Sequence, residues 1–142
     1  MSLSMSRAER EEFLAEVHVG VLTVVADEGR GPLATPVWYS YQPGGQLSVN
    51  TGSSSNKTRA IAAAGRFSLC AQDEAPPYKY VTVEGPAVIE PADLADRTAI
   101  ARRYLGPERG DAWIAANPDV DDVMIRMTPE HWQSADFGKA ET

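Results

Sequence analysis

Six short stretches suited to β-strands, each closed off by turn residues, restrict this chain to a small antiparallel β-fold. His18 to Ala26 is rich in valine and has no helical period. Asp27-Glu28-Gly29-Arg30-Gly31 then reads as a turn. Leu33 to Gln42 is a second strand, interrupted by Pro36, and a proline there predicts an edge or a bulge. Pro43-Gly44-Gly45 closes a hairpin into a third strand, Gln46 to Thr51. Arg66 to Gln72 and Tyr78 to Ile89 are the fourth and fifth, and Val120 to Met127 the last. In the fifth, Val81 and Val83 share one face while Tyr80, Thr82 and Glu84 share the other. Strands joined in this way favour a closed or half-closed barrel, because closure removes exposed edges. The expected fold is therefore mainly β, with six or seven antiparallel strands and short flanking helices, in one domain spanning residues 1–142.

Helices fill the gaps. Ser6 with Glu9 predicts a capping box ahead of a helix from about Arg7 to Glu16, with Phe13, Leu14 and Val17 as its apolar stripe. A second helix runs from about Lys57 to Ala64 and stops at Gly65. Pro91 is expected to open a third, with Leu94, Ala101, Tyr104 and Leu105 on one face and Gly106-Pro107 as its end. A fourth covers Glu108 to Ala116 before Asn117-Pro118 breaks the chain. Thr128-Pro129 leads into a tail that holds Trp132, read as a packing residue. Residues 1–5 are expected to be disordered or expression-derived, with the natural start at Met5.

Charge and cysteine content narrow the function. A net charge of −7 offers no basic field for nucleic acid or an anionic membrane, so neither is expected as a partner. Any anion must be gripped locally, by a few placed cations and backbone amides. The one cysteine, Cys70, rules out an intrachain disulfide and a thiolate metal site, and it fits a cytoplasmic protein. His18 and His131 have no obvious third ligand, so no metal is expected. No serine sits in a G-x-S-x-G elbow. With no nucleophile or acid–base pair in view, an enzyme of this sequence would leave the hard step to a cofactor.

The strongest local signal is Thr51-Gly52-Ser53-Ser54-Ser55-Asn56-Lys57-Thr58-Arg59. Small residues expose backbone N–H groups, hydroxyls add donors, and a helix begins there whose dipole favours an anion. Lys57 and Arg59 in its first turn are misplaced against that dipole unless an anion sits between them and it. A solvated loop with two surface cations is the competing reading. Pro36-Val37-Trp38-Tyr39 could flank a flat ring, although pattern alone favours packing. Pro76-Pro77-Tyr78-Lys79-Tyr80 offers phenols and a cation, or simply a stiff lead into a strand.

Taken in order, ATPVWYSY, LSVNTGSSSNKTRAI, GRFSLCAQ, PPYKYVTVEGPAVI and MTPEHWQSADFGK resemble the landmarks of the flavin/deazaflavin oxidoreductases, split β-barrel relatives of pyridoxamine 5'-phosphate oxidase. The likeness runs from about Arg7 to Gly138. It implies an FMN-binding-like split barrel that forms a homodimer, with cofactor sites at the subunit interface. It implies that Lys57, Arg59, Thr51, Ser55 and Thr58 hold the cofactor phosphate, with Asn50 beside them. Pro36, Val37 and Trp38 would lie along the ring system, and Tyr78 and Tyr80 would approach from the barrel or from the partner subunit. The P-V-W and P-Y-x-Y-V runs look closer to the branch that uses coenzyme F420 than to the FMN oxidases. The extra basic and histidine residues that hold the vitamin's phosphate in pyridoxamine oxidases are not evident. The activity implied is hydride transfer from reduced deazaflavin to a small electron-poor acceptor such as a quinone, an enone or a biliverdin-like tetrapyrrole. The alternatives are an FMN-binding oxidase-like protein and a non-enzymatic binder of flavin, deazaflavin or haem.

Overall fold

The computed structural model describes residues 2–118 and 121–141. Its strands are β1 (Gly20–Val24), β2 (Leu33–Val37), β3 (Ser40–Tyr41), β4 (Leu47–Gly52), β5 (Arg66–Asp73), β6 (Lys79–Pro91), β7 (Asp122–Met127) and β8 (His131–Asp136). Its helices are α1 (Arg7–Ala15), α2 (Asn56–Ala64), α3 (Leu94–Leu105) and α4 (Pro107–Ala116). A 3-10 turn at Phe137–Glu141 follows β8.

All pairings are antiparallel and follow the order β2-β1-β5-β6-β7-β4-β3, with β8 added along the first half of β6. The long strand β6 joins two sheets. Its N-terminal half lies between β5 and β8, and its C-terminal half pairs with β7. Because β2 runs on through Trp38 and Tyr39 into β3, one chain segment links the outer edges of both sheets. The result is a split barrel. Its inside is filled by alternate residues of the strands, including Leu22, Leu69, Val81, Val83, Leu47, Val49 and Ile125. Phe13 and Leu14 of α1 and Ile61 of α2 join the same core. The face division expected for β6 holds, with Val81 and Val83 buried and Tyr80, Thr82 and Glu84 half-buried on the other side.

Where β7 turns into β8 the chain crosses directly over Gly85. A Cβ built there would lie 1.8 Å from the Thr128 carbonyl oxygen, so only glycine fits. That close crossing lets Thr128 N–H and Glu130 N–H bond the β6 carbonyls of Pro86 and Glu84 on either side of it. The expected tail is thus a strand, and Trp132, opposite Val83, packs edge-on against Tyr41.

Other expectations need correction. The described residues form eight strands, counting the two-residue β3 apart from β2 and including β8, which the sequence reading left in the tail. The Leu33–Gln42 stretch divides at Trp38–Tyr39, not at Pro36, which lies within the edge strand β2 and there needs no ladder donor. Pro91 ends β6 instead of opening a helix. Ala92 N–H still donates to the Asp122 carbonyl, and Asp93 is the cap of α3, accepting from Asp96 N–H. The α3 stripe is Arg97, Ile100 and Ala101, whereas Leu94 is 65% exposed. The expected first residue of the last strand, Val120, lies outside the described residues. Residues 3–5 belong to the fold: Leu3 accepts from Asp136 N–H, and the buried Met5 donates to Ser134.

Candidate functional site

Three elements converge at one end of the barrel, and local rules explain each. The chain leaves β4 at Gly52, which pairs with Asp122, and enters α2 through Ser53-Ser54-Ser55. Ser55 caps α2: its Oγ accepts from Thr58 N–H at 3.2 Å and lies 2.8 Å from Thr58 Oγ1. Thr58 in turn donates to the Gly52 carbonyl at 2.8 Å, and Ser53 N–H donates to the Asp121 carbonyl. These bonds fix the loop against β7 and start α2 at Asn56, with no carboxylate in its first turn. Gly65, at φ 76°, ends the helix as expected.

The second element is the break between β2 and β3. The Tyr104 hydroxyl donates to the His18 carbonyl at 2.6 Å and accepts from Tyr39 N–H at 3.0 Å. Tyr39 donates to the Leu14 carbonyl at 2.7 Å. Burial pushes both phenols above their ordinary pKa, so they remain neutral donors at physiological pH. With the backbone held there, Trp38 stacks on Tyr104, ring centres 4.9 Å apart and planes 7° from parallel.

The helix pair α3–α4 is the third element. Trp113 of α4 lies tilted against Trp38 at 5.8 Å. Arg97 of α3 is only 4% exposed. Its Nε donates to Asp122 Oδ2 at 3.2 Å and its Nη2 to the Asn117 carbonyl at 2.7 Å.

Between these elements lies a cleft of about 350 Å³. Pro36, Val37, Trp38 and Trp113 form its apolar wall, and Asn50, Thr51, Lys57 and Arg97 its polar end. Asn50 is held by its amide, which donates to the Val123 carbonyl at 3.1 Å. Among the described residues Lys57 makes no ion pair. A flat apolar ring with an oxyanion at one end matches this division of surface.

Six of the residues expected from sequence therefore meet in one cleft: Pro36, Val37, Trp38, Asn50, Thr51 and Lys57. The others do not. Arg59 faces a different cleft, of about 610 Å³, shared with Asp27 and Arg30. Its guanidinium is tied to the Ser54 carbonyl and to Asn56 Oδ1. The hydroxyls of Ser55 and Thr58 are used within the loop, so they shape the site rather than face it. Tyr78, 51% exposed and just ahead of β6, and Tyr80 of β6, which accepts from Gln133, do not line the cleft.

Arg97 and Trp113 lay outside the sequence reading. A cation three residues after Leu94 and four before Ala101, on what reads as an apolar stripe, was the visible sign of Arg97. Trp113 gave none, because its meeting with Trp38 depends on how α4 folds back on α3.

A barrel split into two sheets, with an aromatic cleft beside a capped helix start, defines the split β-barrel class of small domains. The chain belongs to the pyridoxamine 5'-phosphate oxidase family, which it matches over residues 6–136. No protein of curated function matches it in sequence. Among solved structures, the conserved hypothetical protein Rv2991 of Mycobacterium tuberculosis is similar at 23% identity and a TM-score of 0.78, over 99% of this chain and 91% of that one. A protein named F420 reductase is similar at 24% identity and a TM-score of 0.66, over 87% and 94%. An FAD-binding protein of Mesorhizobium loti is similar at 21% identity and a TM-score of 0.66, over 92% of each chain. At these identities the likeness is one of fold. No helix among the described residues is long and apolar enough to cross a membrane.

Proposed function

We propose that this protein is an oxidoreductase that takes coenzyme F420 into the cleft between Trp38 and Lys57 and passes a hydride to an electron-poor organic acceptor. One observation carries the reading: Lys57, in the first turn of α2 and without an ion pair among the described residues, lines the same cleft as Pro36, Val37 and Trp38. Phosphate at a helix start with a placed cation is a favourable arrangement in its own right. The apolar wall suits a flat ring and keeps water from it. Reduced deazaflavin, when bound, supplies the hydride. The chain's own part is to hold the phosphate through Lys57, to lay the ring along Val37 and Trp38, and to leave the exposed Pro36 side open for the acceptor.

The proposal includes a homodimer. Pro36, Val21, Cys70, Thr82 and Gln133 form one row across the outer face of β2-β1-β5-β6-β8. Val21 is 38% exposed in that row. Since Pro36 also lines the cleft, a second copy on this face would stand at its mouth. Tyr78 and Tyr80 of the partner subunit would then approach the cleft that their own chain does not let them reach.

Anaerobic mixing of the protein with reduced F420 and a quinone or enone panel tests the activity. Protein-dependent return of the oxidised deazaflavin absorbance is the expected result. Tight binding with no turnover on any acceptor would leave a binder instead of an enzyme. Turnover with reduced FMN alone would place the protein in the flavin branch.

A further inference from the structure

We infer that Arg97, not Arg59, is the second cation of the anion site, and that it takes a phosphate-type oxyanion together with Lys57. The inference rests on the reading that the cleft holds a phosphate-bearing cofactor.

Lys57 and Arg59 are two residues apart on α2, and residues at that spacing point to different sides of a helix. They cannot both face one small anion from helical positions, and in the structure they line separate clefts. The Arg59 fork is also satisfied by its own loop, through Ser54 and Asn56. Arg97 lines the Lys57 cleft from a different helix, α3.

Arg97 occupies a helix face shared with the buried Ile100 and Ala101, where an apolar residue would pack at no electrostatic cost. Burying a guanidinium there is unfavourable unless it is well paired. Asp122 and the Asn117 carbonyl engage Nε and Nη2. Nη1 makes no hydrogen bond among the described residues, and Arg97 is one of the residues that line the cleft. Asp122 sits opposite Gly52 at the start of the α2 loop, which ties the direction of the guanidinium to the same backbone that sets Lys57. Two cations thus line one cleft of about 350 Å³ in a chain of net charge −7, a local concentration that an oxyanion relieves.

The test compares phosphorylated and phosphate-free forms of one ring system. Dissociation constants are measured for FMN and riboflavin, and for F420 and its phosphate-free deazaflavin alcohol, with wild type, Arg97→Gln, Arg97→Lys and Arg59→Gln. Wild type should prefer the phosphorylated form. Arg97→Gln should lower that preference about tenfold or more, as for one lost charged hydrogen bond. Arg97→Lys, which keeps the charge and loses the fork, should lower it about threefold. Arg59→Gln should leave it within about twofold. A merely structural Arg97 would weaken both forms alike and leave the ratio unchanged. If Arg97→Gln does not fold, the ratio for Arg97→Lys decides. Full preference retained in the Arg97 variants, with loss in Arg59→Gln, overturns the inference alone. No preference in wild type overturns the reading beneath it.

Discussion

Removing the Lys57 ammonium leaves Arg97, Asn50 and Thr51 as the polar residues of the cleft. Lys57→Ala is expected to weaken cofactor binding by about 1.5–3 kcal/mol, the range for a lost charged hydrogen bond. Calorimetric titration reads it, and an unchanged dissociation constant would take Lys57 out of the site. Tyr104→Phe acts differently. It leaves the His18 carbonyl and Tyr39 N–H without their shared partner and frees the backbone under Trp38. A stability loss of about 1–3 kcal/mol by urea unfolding is expected. Lys57, Thr51 and the Pro36–Trp38 run were legible in the sequence because each belongs to a local motif whose chemistry a short segment can carry. Arg59 was expected beside Lys57 but lines a different cleft, because the helix turns the two cations apart. Arg97 and Trp113 were hidden because they are delivered from more than thirty residues downstream by the packing of α3 on α4.

Helix starts and turn residues determine most of the elements. The capping box at Ser6, the Ser55 cap and the Gly65 stop all form as local rules require. Elements that depend on tertiary pairing were less legible. β8 shows no strong alternation of its own and exists because β6 offers a free edge to it. Pro91 has the look of a helix start, but the β7 pairing extends β6 through it. The crossing at Gly85 gives a direct test of that pairing. Gly85→Ala drives a Cβ against the Thr128 carbonyl and should cost stability at or above the upper end of the ~1–3 kcal/mol typical of overpacking. A stability unchanged within error would mean that β7 and β8 do not cross there.

Glu9 clamps the N-terminal helix in a pH-dependent way. The Lys139 ammonium, then the Ser6 N–H, hold its carboxyl down from 4.5 to about 2. Because the folded value lies below the unfolded one, the clamp's contribution is complete above about pH 4.5 and is lost as pH falls towards 2. Glu9→Gln should therefore flatten the acid limb of a stability–pH curve in that window and leave the curve's shape near pH 7 unaltered. An identical acid limb in both proteins would show that the pair with Lys139 does not form.

Considered whole, the molecule has a cleft that one copy leaves open beside Pro36, and an outer sheet face with small apolar side chains uncovered next to it. In the proposed homodimer, Val21→Asp would place two carboxylates close together across a two-fold interface. It should yield monomers by sedimentation velocity and weaken cofactor binding by about tenfold or more, the scale of an interface hot spot. Monomeric wild-type protein that still binds cofactor fully would confine the site to one chain.

The most direct measurement is titration of the pure protein with F420 and, separately, with FMN, by calorimetry or fluorescence quenching. Micromolar or tighter binding of F420, with FMN much weaker, is the expected result. Failure of both to bind would contradict the assignment of the Trp38–Lys57 cleft as a cofactor site.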